Sequence, residues 1–177
     1  MSRVGNKAIP VPKDVLLKIQ EDGSVLISKG NDNHNYHLPS GISAEIVDST
    51  LSLSASAKND MSSLLGLHRS NINNLIAGMH QDFQVDLEIN GVGYRAAMDN
   101  KYLTLWLGFS HCIKYRIPEY ISFKIPKPTQ ISIFGSDKCY VNMIASDLCT
   151  LKKYDPYKKK GVYRKGQYLF TKEVSKK

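Results

Sequence analysis

Two spacings of apolar residues alternate along this chain. Val15, Leu17 and Ile19 place apolar side chains at every second position, as do Val85, Leu87 and Ile89. A two-residue period predicts strands with one buried face. Two or three further short strands are expected after each, separated by turn signals such as Asp22-Gly23 and Asp99-Asn100. The period then lengthens. Leu65, His68, Ile72, Leu75, Ile76 and Met79 fall on one side of a helix that Asp60 is expected to cap. Val141, Ile144, Ala145, Leu148 and Cys149 form the equivalent stripe on a second helix, with Ser136 or Asp137 as its cap.

The strands-then-helix order occurs twice because the chain repeats itself. His37-Leu38-Pro39-Ser40-Gly41-Ile42-Ser43-Ala44-Glu45-Ile46 lies over Arg116-Ile117-Pro118-Glu119-Tyr120-Ile121-Ser122-Phe123-Lys124-Ile125, a displacement of about 80 residues. The shared skeleton is apolar-Pro-x-x-Ile-Ser-x-charged-Ile. Val25-Leu26-Ile27 falls over Leu105-Trp106-Leu107, and Leu51-Ser52-Leu53 over Ile131-Ser132-Ile133. The pattern predicts an α+β protein of two tandem duplicated domains, 1–82 and 83–177, each a small mainly antiparallel sheet covered by one helix. Domains of this size are marginal alone, so packing against each other or against a partner is expected.

Charge adds an asymmetry that the repeat lacks. Residues 1–149 carry 14 Lys and Arg and 14 Asp and Glu, a balance of zero. Residues 150–177 carry 10 Lys and Arg against Asp155 and Glu173, so this stretch holds the whole net charge of +8. A neutral body with a basic end is the electrostatic footprint of a nucleic-acid binder. No apolar run approaches the ~20 residues of a membrane span, and Met1 to Lys7 contains no apolar signal-peptide core. Cys112, Cys139 and Cys149 form no CxxC and cannot all pair, which points to reduced thiols in the cytoplasm.

Candidate chemistry in the body is weak. Gly91-Val92-Gly93-Tyr94-Arg95-Ala96 fits a dinucleotide-binding spacing, and a nucleotide-binding enzyme using Gly91 to Gly93 is the alternative it raises. Such a site needs a helix N-terminus next, whereas Lys101 to Leu107 alternates like a strand. The glycines are therefore expected in a hairpin turn or bulge. His34 and His37 stand beside Asp32 with no third ligand in sequence. His68 reads as a hydrogen-bonded core histidine, and Asp86 and Glu88 as a pair on one strand face. No catalytic residue, cofactor, metal or small-molecule substrate is expected.

The basic end carries more. Pro156 should stop the second helix before it. Lys152, Lys153, Lys158, Lys159, Lys160, Arg164 and Lys165 are interleaved there with Tyr154, Tyr157, Tyr163 and Tyr168. Disordered solubilising tails are poor in aromatics. Lysines neutralise phosphates and tyrosine rings stack on exposed bases, so the combination suits RNA. Gly161 and Gly166 would let the backbone approach a phosphate. The expected RNA-binding set is Lys152, Lys153, Tyr154, Tyr157, Lys158, Lys159, Lys160, Gly161, Tyr163, Arg164 and Lys165. Thr171 to Lys177 reads as an auxiliary tail, and the basic end as a segment that orders on RNA.

Asp155-Pro156-Tyr157-Lys158-Lys159-Lys160-Gly161-Val162 resembles the C-terminal signature of the bacterial-type large-subunit ribosomal protein L-six family, a Pro-Tyr-Lys-Gly-Lys-Gly core after an acidic residue. Met1 to Gly5, Gly91 to Ala96 and Leu107-Gly108-Phe109-Ser110-His111 resemble further elements of that family. Here Lys159 stands at the signature's first glycine and Tyr154 at its usual proline. An arginine common at the end of the second helix is replaced near Leu148-Cys149. Lys159 should then adopt a conformation open to a residue with a side chain. The resemblance implies two similar α+β domains, no enzymatic activity, and binding to large-subunit ribosomal RNA mainly through the C-terminal domain. It also implies a place near the sarcin-ricin loop and the docking region of translational GTPases, with neighbouring ribosomal proteins as partners. By the same resemblance Gly91 to Arg95 and Phe109 to His111 face RNA or shape the second domain. A basic RNA-binding module outside the ribosome is the remaining alternative.

Overall fold

The computed structural model describes residues 5–20, 22–30, 32–47, 49–55 and 62–173. The chain divides into two compact units, Met1–Asp82 and Phe83–Lys177.

The first unit contains β1 (Ile9–Pro10), β2 (Leu16–Ile19), β3 (Val25–Lys29), β4 (Asp32–Tyr36), β5 (Ile42–Val47), β6 (Thr50–Ala55) and α1 (Ser62–His80). Two antiparallel sheets result, ordered β1-β6-β5 and β2-β3-β4. The alternating residues Val25 and Ile27 of β3 and Leu51 and Leu53 of β6 pack against Leu65, Ile72, Ile76 and Met79 of α1. His68, half-buried on that helix, meets the Tyr36 hydroxyl at 2.7 Å through Nδ1, so it is a satisfied structural histidine. The end of α1 is closed from β3. The Lys29 Nζ donates to the Met79 and His80 carbonyls at 2.7 and 3.0 Å, placing a cation where the helix dipole is negative. Asp60, the expected cap at the other end, lies outside the described residues.

The second unit contains β7 (Phe83–Asn90), β8 (Arg95–Met98), β9 (Tyr102–Trp106), β10 (Ile113–Arg116), β11 (Ser122–Lys127), β12 (Gln130–Gly135), α2 (Lys138–Leu151) and β13 (Gly161–Arg164). Its antiparallel sheets are β10-β9-β8 and β11-β12-β7-β13. Asp137 caps α2, its carboxylate accepting from the Cys139 N–H at 2.7 Å. Val141, Ile144, Ala145 and Leu148 are buried against Leu87, Ile131, Ile133 and Val162, with Cys149 at the margin of the stripe. Burying one such side chain stabilises by roughly 1.5–3 kcal/mol, so this helix face is what binds the sheet into a unit.

The α+β class and the repeated architecture expected from the sequence are present, with two refinements. Each unit holds two small sheets rather than one, because β2-β3-β4 and β8-β9-β10 pair only among themselves as three-stranded meanders, while the hairpins β5-β6 and β11-β12 pair with strands distant in sequence. The leading strands also correspond differently. β1 pairs Ile9 with Leu51 and β7 pairs Leu87 with Ile131, so β1 is the topological counterpart of β7. Val15 to Ile19, matched by period to Val85 to Ile89, instead leads into a hairpin like that of β8 and β9. In that stretch Val15 is buried while Ile19 is exposed. The duplication is plainest at the paired prolines. Ile42 N–H donates to the Pro39 carbonyl and Ile121 N–H to the Pro118 carbonyl, both at 3.2 Å. One element breaks the symmetry: among the described residues, β13 has no counterpart in the first unit.

Candidate nucleic-acid interface

Strand β13 and the loop before it are where the charge asymmetry becomes structure. After α2 ends at Leu151, with Lys152 as its C-cap, the chain turns over a loop pinned by Asp155. One carboxylate oxygen of Asp155 accepts from the Tyr157 and Lys158 N–H groups at 2.9 and 3.3 Å. The Asp155 N–H donates to the Lys160 carbonyl and the Lys159 N–H to the Asp155 carbonyl, both at 2.8 Å. An Asp followed by Pro is suited to this geometry, since the side chain mimics a backbone acceptor and the ring presets φ. The chain then enters β13, pairing Val162 with Ile89 and Tyr163 with Glu88. The Val162 N–H also donates to the Lys152 carbonyl at 2.9 Å, tying strand to helix end. Residues 152–165 are thus a loop and a sheet strand rather than an appended tail.

Two backbone positions carry the turn. Gly161 has φ 145°, and a Cβ there would lie 2.6 Å from Tyr154 Cα and 2.7 Å from the Lys153 carbonyl oxygen. Only glycine fits so close to another backbone. Lys159 has φ 54°, in the small left-handed region that a residue with a side chain enters only at a cost: the loop places a lysine in a geometry that favours glycine. That geometry costs about 1–2 kcal/mol for an L-residue, partly offset because glycine would lose more backbone entropy. Lys159→Gly should therefore raise stability by about 0.5–1 kcal/mol, read as a higher denaturant midpoint. A lower midpoint would show that the lysine makes compensating contacts.

The side chains divide into two groups. Lys153, Tyr157, Lys158, Lys159 and Lys165 are exposed; Lys152, Tyr154, Lys160, Tyr163 and Arg164 are half-buried, and Gly161 is buried. The Arg164 guanidinium donates to the Asn142 side-chain oxygen and carbonyl of α2, each at 3.1 Å. The Tyr154 and Tyr163 rings meet edge-to-face with centroids 5.6 Å apart. Burial, and after it a hydrogen bond with Glu88, raises the Tyr163 hydroxyl above its ordinary pKa. Half the expected site therefore builds the platform, and the exposed half is presented by it.

The structure brings to the same place Phe170 and Lys172, which are absent from the expected set, and Phe109 and His111, which the family resemblance places facing RNA or shaping the second domain. The Lys172 N–H donates to the Pro156 carbonyl at 3.1 Å, and its Nζ lies 5.7 Å from the Tyr157 ring and 5.8 Å from that of Phe170. The Lys152 Nζ sits 4.6 Å over Phe109, whose ring stacks on His111 at 6.2 Å. The signal available was the continued aromatic-basic alternation through Tyr168, Phe170 and Lys172.

The decoys take structural roles. Gly91-Val92-Gly93 is a turn between β7 and β8, with no helix following, which overturns the dinucleotide-site reading. A Cβ on Gly91 would lie 2.5 Å from the Tyr94 ring, so that glycine makes room for a tyrosine. Arg95 lies 4.5 Å over the Trp106 ring. The Asp86 carboxyl is held below its ordinary value first by the Gln84 side chain and then by Ser132. Among the described residues no cluster of three or more His, Cys, Asp or Glu could hold a metal, and no helix is long and apolar enough to cross a membrane.

Residues 90–165, from the end of β7 through β13, match the family model described as ribosomal protein L6. Over its full length the chain is 38% identical to the large ribosomal subunit protein uL6 of Beijerinckia indica, across 178 residues and all of that relative. The uL6 of Methylorubrum extorquens is 39% identical over 179 residues, again covering all of both chains. That of Methylacidiphilum infernorum is 39% identical over 171 residues, 96% of this chain and 94% of its own. The chain belongs to the uL6 family. The match runs through the asymmetric strand β13 to the residue after it and spans the Asp155-pinned loop. The uL6 resemblance first visible in Asp155 to Val162 thus extends to the whole sequence.

Proposed function

We propose that this chain is a structural constituent of the large ribosomal subunit, held on its ribosomal RNA chiefly by the second unit, 83–177. The supporting observation is that the entire net charge of +8 lies in residues 150–177, and seven of the ten basic residues there fall in 152–165, which form a pinned loop and a sheet strand. Lys153, Lys158, Lys159 and Lys165 supply phosphate contacts and Tyr157 an exposed ring. Lys152, Tyr154, Lys160, Gly161, Tyr163 and Arg164 hold that surface in shape and flank it. The first unit, 1–82, completes the body. By the family resemblance the chain sits near the sarcin-ricin loop and the docking region of translational GTPases, beside other ribosomal proteins, in the cytoplasm. It is not an enzyme and takes no cofactor.

The test is sedimentation of the full chain from a cell lysate. Stoichiometric recovery with large subunits, lost at high salt, is expected. Recovery with other RNA and not with subunits would favour a basic RNA-binding module outside the ribosome. Deleting everything after Leu151 is a poor test, because it removes buried Val162 from the core along with the lysines.

A further inference from the structure

Beside the exposed lysines lies an open groove of about 450 Å³. Its floor and one wall come from the last turns of α2, at Ser146, Cys149 and Thr150, and from Tyr154; the returning segment at Gln167 to Phe170 forms the other wall. The return is fixed at both ends, by the Gln167 N–H on the Arg164 carbonyl at 3.1 Å and the Lys172 N–H on the Pro156 carbonyl. Two aromatic rings are held there in water: Tyr168 is 86% exposed and Phe170 59%. An ordinary core would bury such rings, since each can hide a large apolar area.

Charge selects the occupant. Lys153 lines the groove and the Lys172 ammonium stands beside Phe170. Of the two acids in residues 150–177, Asp155 is occupied by two backbone N–H groups. An apolar protein segment would have no use for the cations, and an acidic peptide none for the flat rings. An unpaired nucleotide uses both: its base has a π-face, its edges seek hydrogen bonds of the kind the exposed Gln167 amide offers, and its phosphates seek cations.

We infer that this groove accepts one unstacked nucleobase of a single-stranded RNA segment, stacked on Tyr168 or Phe170, with the adjoining phosphates on Lys153 and Lys172. The inference rests on the RNA-binding reading above and specifies what that surface does beyond phosphate neutralisation. A duplex, whose bases are stacked inside, cannot fill the groove.

The full chain is titrated with two RNA probes, a short hairpin with a fluorescent aminopurine in its unpaired loop and a fully paired duplex of equal length. Wild-type chain should quench the aminopurine by stacking. In the double variant Tyr168→Ala, Phe170→Ala the ratio of hairpin to duplex affinity should fall about tenfold and the quenching should vanish; Tyr168→Phe, which keeps the ring, should retain both. Both rings are exposed, so folding is not at stake. Undiminished quenching in the double variant, or equal weakening toward both probes, overturns the groove. Failure of the wild-type chain to bind either RNA overturns the RNA-binding reading itself.

Discussion

Gly161→Ala is expected to destabilise the second unit by roughly 3 kcal/mol and to abolish tight RNA binding, while Gly166→Ala should cost only about 1 kcal/mol. Both glycines have positive φ, 145° and 80°, so both substitutions strain the backbone. They differ in what the new methyl meets. At Gly166 there is nothing within 4 Å, whereas at Gly161 the methyl would lie inside contact distance of the Lys153 and Tyr154 backbone. A flexible side chain could move aside; backbone held by the Val162 to Lys152 hydrogen bond cannot do so without losing it. Separating those segments releases Val162 from the core and leaves the Asp155 loop without its strand. Denaturant midpoints for the two variants, with RNA affinity alongside, check this. Equal costs at the two positions would mean that conformational strain, and not close approach, makes Gly161 a glycine.

The contrast between Val141 and Val162 shows how far the sequence could be read. Val141 stands in a stripe repeated every three or four residues, so its burial follows from its neighbours alone. Val162 is the one buried apolar side chain of a four-residue strand, set among lysines and tyrosines. Its pairing with Ile89 depends on a partner far away in sequence, and local period carries no such information. The basic segment was therefore legible as an RNA surface by composition and illegible as part of the sheet. Tyrosines raise a related ambiguity. Tyr154 and Tyr163 turn inward on each other while Tyr157 and Tyr168 face water, and all four look alike to a reading based on residue type. Lys159 inverts the usual lesson. Its position in a motif that elsewhere has glycine was visible, but only the backbone angle shows that the lysine sits at positive φ and bears the strain. At the front of the chain, β1 has two residues, with Pro10 in the strand and Pro12 soon after. Proline cannot donate to a ladder, so a strand there is invisible to propensity, and the more regular Val15 to Ile19 took its place.

Among variants that keep the fold, neutralising the exposed lysines should have the largest effect on RNA binding. In Lys153→Gln, Lys158→Gln, Lys159→Gln, Lys165→Gln the fold should survive, because all four side chains are exposed and none is among the buried residues of the core. If each lysine neutralises one phosphate, the slope of log affinity against log salt should become shallower by roughly 3, since each contact contributes about 0.7–0.9. The loss should be nearly uniform across RNA sequences, because phosphates carry no base identity. Arg164→Gln should behave differently. Its guanidinium is bound to Asn142 on α2, so its removal should lower the unfolding midpoint more than it flattens the salt slope. The comparison separates two roles that a charge count merges. A quadruple variant with an unchanged slope would place the phosphate contacts elsewhere on the chain. An Arg164 variant that lost slope and kept its stability would move that arginine from the scaffold to the interface.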